Sequence, residues 1–218
     1  MLVTVQLCAH GDLDLQITGI TEKIRHSPRD ATLYLHRAEL HRQHGEPASA
    51  LADIAEARRL DPKLADVDFA EGRALLDLKR GVEARSAFDR FLKERPDHPI
   101  ALWHRAQALI QVGQRAAADA DLKRCIDVAP QPTPELFMAR ATNLEKSGEL
   151  EKALAGLAEG LQRLGGIRSL QLAAVELEVK LHRPEAAVAR LDSLIGTNFA
   201  SDSSSRSIFP HHVVPSRP

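Results

Sequence analysis

The chain has 218 residues, 44% of them hydrophobic and 27% charged, and its 29 Lys plus Arg against 30 Asp plus Glu leave a formal net charge of -1. This composition excludes disorder throughout, and the charge balance offers no evident footing to a duplex phosphate backbone or an anionic membrane. Only 4% of residues are aromatic, so Ala and Leu supply most of the apolar side chains, a bias that favours helices over strands.

In chain order, residues 1–11 open with the apolar stretch Met1 to Ala9, which lacks a basic n-region. They read as a flexible N-terminus, or as the remnant of a signal peptide whose start lies upstream. The compartment is cytoplasmic by default, and periplasmic or secreted if the remnant reading holds. From Asp12 onward, Leu13, Ile17, Ile20 and Ile24 share one helical face, which predicts a leading helix over 12–27, capped by Asp12, hinged at Gly11 and ended by Pro28. No apolar run approaches the ~20 residues needed to cross a bilayer as a helix. Cys8 and Cys125 are too few for a disulfide framework and lack zinc-site spacing.

A repeat then dominates. Pro28, Pro62, Pro96 and Pro130 recur at one constant step, shared by Ala50, Ala84 and Ala118, by Ile54, Phe88 and Leu122, and by the small residues Ala38, Gly72 and Ala106. Tyr34 and Leu102 keep the same step, with Asp68 a misfit between them. A fourth unit, marked by Phe137, Ala141, Gly148, Ala153 and Leu157, follows one residue out of step, the extra residue absorbed in the loop Pro130-Gln-Pro-Thr-Pro134.

These markers resemble the tetratricopeptide repeat family, whose unit of about 34 residues is helix, turn and helix. The likeness is carried by Tyr34-x2-Arg37-Ala38, Ala50-x3-Ile54 and Pro62, by Ala84-x3-Phe88 and Pro96, and by Leu102-x2-Arg105-Ala106, Ala118-x3-Leu122 and Pro130. Arg37, Arg105 and Arg140 depart from it by replacing an apolar residue, and Gly165 stands in place of a fourth proline. The expected fold is an all-α, right-handed superhelical solenoid of helix-turn-helix repeats. The repeat domain spans 12–195, with units at about 31–64, 65–98, 99–132 and 134–167 and a degenerate one at 168–195.

Local signals match this division. Asp30, Asp97 and Thr133 are expected caps of first helices, and Pro99 and Pro134 suit their first turns. Pro47 and Pro184 open second helices. Gly45, Gly81, Gly113 and Gly148 fall between the paired helices, where a left-handed terminus is needed. Ala38, Gly72, Ala106 and Ala141 are expected at the closest approach of each pair, opposite Ala50, Ala84, Ala118 and Ala153.

The last unit has apolar residues Ala187, Leu191, Leu194 and Ile195, yet no solvating helix follows it. Residues 196–218, rich in Ser and Pro, are expected to be disordered. Either this tail folds over the end, or a partner caps it, or the chain is a truncated or frameshifted piece of a longer array.

Catalytic and metal chemistry find little support. His41 and His44 are helical neighbours, but His36 is about 140° from His41, and no acidic or cysteine ligand completes a set. Cys125 reads as buried packing. No Lys-Ser/Thr follows Gly165-Gly166, so no phosphate loop is present. The expectation is no enzyme activity, no cofactor and no metal.

The resemblance implies a binding role instead. In this family the first helices line a concave surface, and the residue after the leading apolar position points into it. Here that row is Leu35, Phe69, Trp103 and Met138, each one repeat after the last, flanked by Glu39, Arg73, Gln107 and Thr142 and then by Arg42, Asp77, Gln111 and Lys146. An apolar row with mixed polar flanks suits an extended or helical peptide, with Trp103 the best anchor. Leu35 and Phe69 also read as packing residues. With only Asn143 and Asn198, the family's carboxylate clamp for chaperone tails cannot be assembled. The expected function is a scaffold or adaptor holding a peptide or protein in its groove. The alternative is a structural subunit, or a piece of a longer scaffold, assembling end-on through 184–195.

Overall fold

The period in the sequence is realised as a succession of helix pairs. The computed structural model describes residues 2–203, with side chains from 11 to 195. The described residues form eleven helices and no strand: α1 (Leu2–His26), α2 (Ala31–Gln43), α3 (Pro47–Leu60), α4 (Asp66–Asp77), α5 (Gly81–Glu94), α6 (Pro99–Gln111), α7 (Arg115–Val128), α8 (Pro134–Glu145), α9 (Leu150–Leu164), α10 (Arg168–Lys180) and α11 (Pro184–Ser203). The chain divides into two compact units, Met1–Pro132 and Thr133–Pro218, with the boundary in the proline-rich loop. In the first unit α2 pairs with α3, α4 with α5 and α6 with α7, while the first helices α2, α4 and α6 lie side by side. In the second, α8 pairs with α9 and α10 with α11, and α8 lies beside α10.

Local chemistry places the helix ends. The Asp30 carboxylate caps α2 by accepting the Thr32 amide at 2.9 Å. Asp97 does not cap α6. Because Pro99 occupies the first turn, the capping position is His98, whose Nδ1 accepts the Ala101 amide at 3.1 Å, and Asp97 instead accepts from Arg124 Nε at 2.9 Å. Thr133 precedes α8 without a side-chain capping bond.

The inter-helix turns need one left-handed residue each. Gly45, Gly113 and Gly148 supply it, at φ 84°, 76° and 78°, whereas the equivalent residues elsewhere are Lys79 at φ 60° and His182 at φ 57°. Gly81 is therefore not a turn glycine as expected. It begins α5, where an added Cβ would lie 2.9 Å from Val112 Cγ1. Since a side chain in the left-handed region costs roughly 1–2 kcal/mol, Lys79→Gly is expected to raise the unfolding free energy by about 1 kcal/mol. Chemical denaturation measures this, and an unchanged or lower midpoint contradicts it.

Two boundaries differ from the sequence expectation. The leading helix starts at Leu2 rather than at residue 12, and α11 continues through Gly196 to Ser203 where a tail was expected to begin. A single glycine in a helix interior costs only about 1 kcal/mol, and the residues flanking Gly11 and Gly196 are compatible with helix. Residues 204–218 of that tail lie outside the described residues.

The paired helices meet at small residues. Ala50, Ala84, Ala118 and Ala153 are all at 0% exposure, and Ala38, Gly72, Ala106 and Ala141 are buried too. The arginines that departed from the family pattern have a structural reason. Arg37 makes a two-pronged pair with Asp53 on α3 (Nε–Oδ2 2.7 Å, Nη2–Oδ1 2.6 Å), and Arg105 repeats it with Asp121 on α7 at 2.7 and 2.6 Å. In the fourth pair Gly156 replaces the carboxylate, and Arg140 Nη1 lies 3.5 Å from where a Cβ would stand. The misfit Asp68 is explained as well. With Glu71 it forms an acidic pair on α4, Asp68 accepting from Arg58 on α3 at 2.9 Å and from Arg90 on α5 at 2.8 Å, while Glu71 bonds both arginines.

Candidate peptide-binding face

The stripes picked out by the repeat all fall on first helices. On α2, Leu35, Glu39 and Arg42 are half-buried; on α4, Phe69 and Arg73 are half-buried and Asp77 is exposed; on α6, Trp103 and Gln107 are half-buried and Gln111 is exposed. On α8 of the second unit, Met138 is half-buried, and Thr142 and Lys146 are exposed.

In the first unit the polar flanks form one ladder. Glu39 accepts from Arg42 Nε at 3.0 Å and, one repeat away, from Arg73 Nη1 at 3.0 Å, while Arg42 Nη1 reaches Asp77 at 3.0 Å. Gln111 Nε2 reaches back from α6 to the Leu76 carbonyl at 3.4 Å. Burial pushes the Glu39 carboxyl up, but hydrogen bonds from Arg42 and Gln43 and the charges of Arg73 and Arg42 outweigh it and hold the group below its ordinary value. The Arg42 guanidinium is held still more firmly protonated, chiefly by its bond to Glu39.

The apolar residues divide by environment. Phe69 belongs to an aromatic cluster, with ring centroids 6.1 Å from Phe88, 5.1 Å from Phe91, 5.6 Å from His98 and 5.9 Å from His104. The Arg73 guanidinium lies 5.7 Å from the Phe69 ring centre. Leu35 packs on the core around Ile54 and Val67. Both therefore have a packing role. Trp103 stays half-exposed on α6, beside the buried Cys125, whose thiol donates to the Pro99 carbonyl at 3.2 Å and is pushed up to about 11 by burial.

Extending the period one step further reaches Leu172. It follows Met138 by the same step that separates Arg168 from Pro134 and His182 from Gly148, and it is 44% exposed on α10. The pairing of Glu145 with Lys180 at 2.5 Å ties α8 to α10 in this register. The row reading that stopped at Met138 missed Leu172, although the same step was available to find it.

His104 adds a pH-sensitive group. Burial chiefly lowers its pKa, with the Arg73 and Arg42 charges acting in the same direction, against the hydrogen bond to Gln107 and the Asp77 charge. A histidine depressed in the folded state stabilises the fold fully above its unfolded value of about 6.5, and that contribution is lost as pH falls through the folded value. His104→Phe is expected to flatten the loss of stability between roughly pH 7 and 5. A His104 proton resonance titrating at or above 6.5 contradicts this.

The histidine cluster has an acidic neighbour that the sequence reading did not find. Glu46 contacts His41 Nδ1 at 2.8 Å and His44 Nδ1 at 3.2 Å, while His36 is exposed. Among the described residues no group of three or more His, Cys, Asp or Glu is arranged to hold a metal ion, and no helix is long and apolar enough to cross a membrane. Asn143, the one clamp-type residue on a first helix, is buried.

Helix pairs recurring at one constant step define the all-α class of helix-turn-helix repeat solenoids, a fold used for protein–protein interaction. The tetratricopeptide repeat family model matches residues 69–122, which span α4 to α7. The fold of the chain is similar to that of YrrB, described as a TPR protein with an unusual peptide-binding site, at 22% identity and TM-score 0.65 over 81% of this chain and 91% of that one. It is similar as well to PilW, a type IV pilus biogenesis factor, at 22% identity and TM-score 0.70 over 91% of each chain. MamA from Desulfovibrio magneticus RS-1 matches at 20% identity and TM-score 0.65 over 79% of this chain and 97% of that one.

Proposed function

We propose that this chain is a non-enzymatic scaffold or adaptor that binds a peptide or partner protein along its first helices. The observation that carries this reading is made in each unit by itself: an apolar side chain with exposure left recurs at one repeat position of the first helices, Trp103 on α6 in the first unit and Met138 on α8 and Leu172 on α10 in the second. On α2 and α4 of the first unit, the ladder of Glu39, Arg73, Arg42 and Asp77 supplies fixed charges of both signs that orient a peptide. The peptide-binding site described for YrrB lends support.

A second reading is favoured by the last repeat. Val188 and Ile195 on α11 are exposed, as is Val179 on α10, which suits end-on assembly through 184–195. Affinity capture with the full chain separates the two. Trp103→Ala is expected to abolish partner capture under the first reading. Capture that survives it and disappears with Val188→Ser/Ile195→Ser establishes the second.

A further inference from the structure

The first and last helices leave open faces of opposite charge. In the second unit α11 packs on α10, and the position of Leu191 is filled in the earlier repeats by the buried Ile54, Phe88, Leu122 and Leu157, whereas Leu191 itself is 37% exposed. With the exposed Val188 and Ile195 it forms one apolar stripe at i, i+3 and i+7. Beside the stripe lies a cleft of about 450 Å3, lined by Pro184, Glu185, Val188, Ala189 and Asp192, so its charged groups are both carboxylates. Arg190, the cation of α11, is taken up by Glu178 at 2.6 Å.

In the first unit α1 packs on α2. Between them lies a cleft of about 280 Å3, lined by Gln16, Gly19, Ile20, Lys23, His36 and Leu40. Its basic side chains are Lys23 and His36, and no carboxylate among the described residues lines it. The carboxylates of Asp14 and Glu22 engage His44 at 3.5 Å and Arg25 at 2.9 Å. Gly19 leaves a hole in the cleft floor. A Cβ added there would meet nothing within 4 Å, whereas at Gly72, Gly81 and Gly160 that space is filled by Phe88, Val112 and Phe137.

We propose that the occupant of the α11 face is a second copy of this chain, docked through its α1/α2 cleft, so that copies join head to tail. This inference rests on the end-on reading of 184–195 and deepens it by naming the partner. The charges select the arrangement. Two α11 faces set against each other would bring Glu185 and Asp192 toward their own counterparts, and two α1/α2 clefts would do the same with Lys23 and His36, each at the cost of like-charge repulsion. The mixed contact sets carboxylates against cations and seats an apolar side chain of α11, Val188 or Ile195, in the hole at Gly19. Because the two surfaces differ, the contact is heterologous. A dimer still presents one surface of each kind, and assembly grows with concentration.

Sedimentation velocity of the full chain at low salt, from about 1 to about 300 µM, tests it. The parent is expected to shift from monomer to larger species as concentration rises. Lys23→Glu/His36→Glu and Glu185→Lys/Asp192→Lys, all at exposed residues, are each expected to associate at least about tenfold more weakly. An equimolar mixture of these two variants is expected to restore association, because each reversed end then meets its complement. A parent that stays monomeric throughout overturns the proposal, and so does a mixture that associates no better than either variant alone. Failure here is distinguishable from failure of the end-on reading. Partner capture lost in Val188→Ser/Ile195→Ser beside a monomeric parent overturns the second copy and leaves the end-on reading standing, whereas self-association unchanged in that variant overturns both.

Discussion

Asp121→Ala is expected to lower the unfolding free energy by about 2–3 kcal/mol. The carboxylate is buried on α7 and accepts both prongs of Arg105 on α6, so its removal leaves that guanidinium without its two-pronged acceptor. The Arg105 side chain is one quarter exposed, so the loss falls below the roughly 3–5 kcal/mol of a fully enclosed pair, and Asp89 at 3.0 Å retains part of its charge. Arg105→Leu/Asp121→Leu is expected to recover most of the loss, because an apolar pair there restores the contact usual in such repeats without desolvating a charge. Urea denaturation of the three variants decides it. A single variant as stable as the parent shows the pair to be incidental.

The second large effect concerns Gly72. A Cβ at that position would lie 2.6 Å from the Phe88 ring, which is fully buried, so Gly72→Ala is expected to destabilise by about 1–3 kcal/mol despite alanine's better helix propensity. The other repeats show the alternative solution: Ala38 with Ile54, Ala106 with Leu122 and Ala141 with Leu157 occupy the same pair of positions. Gly72→Ala/Phe88→Leu copies that solution and is expected to restore stability to within about 1 kcal/mol of the parent, a coupling a double-mutant cycle measures. Additive losses contradict the pairing.

These two sites mark how far the sequence is legible. The repeat was visible because each helix pair imposes the same requirements at the same offsets: a small residue at the crossing, an apolar residue four beyond the facing alanine, and a proline after the second helix. Gly72 was readable as one more small residue, but its match to Phe88 requires knowing that the two side chains face each other. The Arg37–Asp53 and Arg105–Asp121 pairs were written in the sequence as a recurring separation of 16 residues, yet only the antiparallel register of the helices makes it a contact.

The site was legible in its positions and less so in its partition. The constant repeat step located Leu35, Phe69, Trp103 and Met138, while the aromatic cluster around Phe69 depended on His98 and His104, which the repeat pattern leaves free. Leu172 was missed because the fifth repeat is degenerate in its other markers. The helix boundaries at Leu2 and Ser203 are not legible in the sequence, because Gly11 and Gly196 look like breaks although a glycine inside a helix costs only roughly 1 kcal/mol.

The central claim is that the first helices bind peptide with Trp103 as an anchor. The most direct measurement selects peptides from a displayed random library on the full chain, then titrates one selected peptide calorimetrically into the parent and into Trp103→Ala. Circular dichroism of each protein accompanies the titrations. The account predicts affinity at least about tenfold weaker in the variant with ellipticity unchanged. Equal affinity in both proteins, or a fall in ellipticity that parallels the loss of binding, contradicts it.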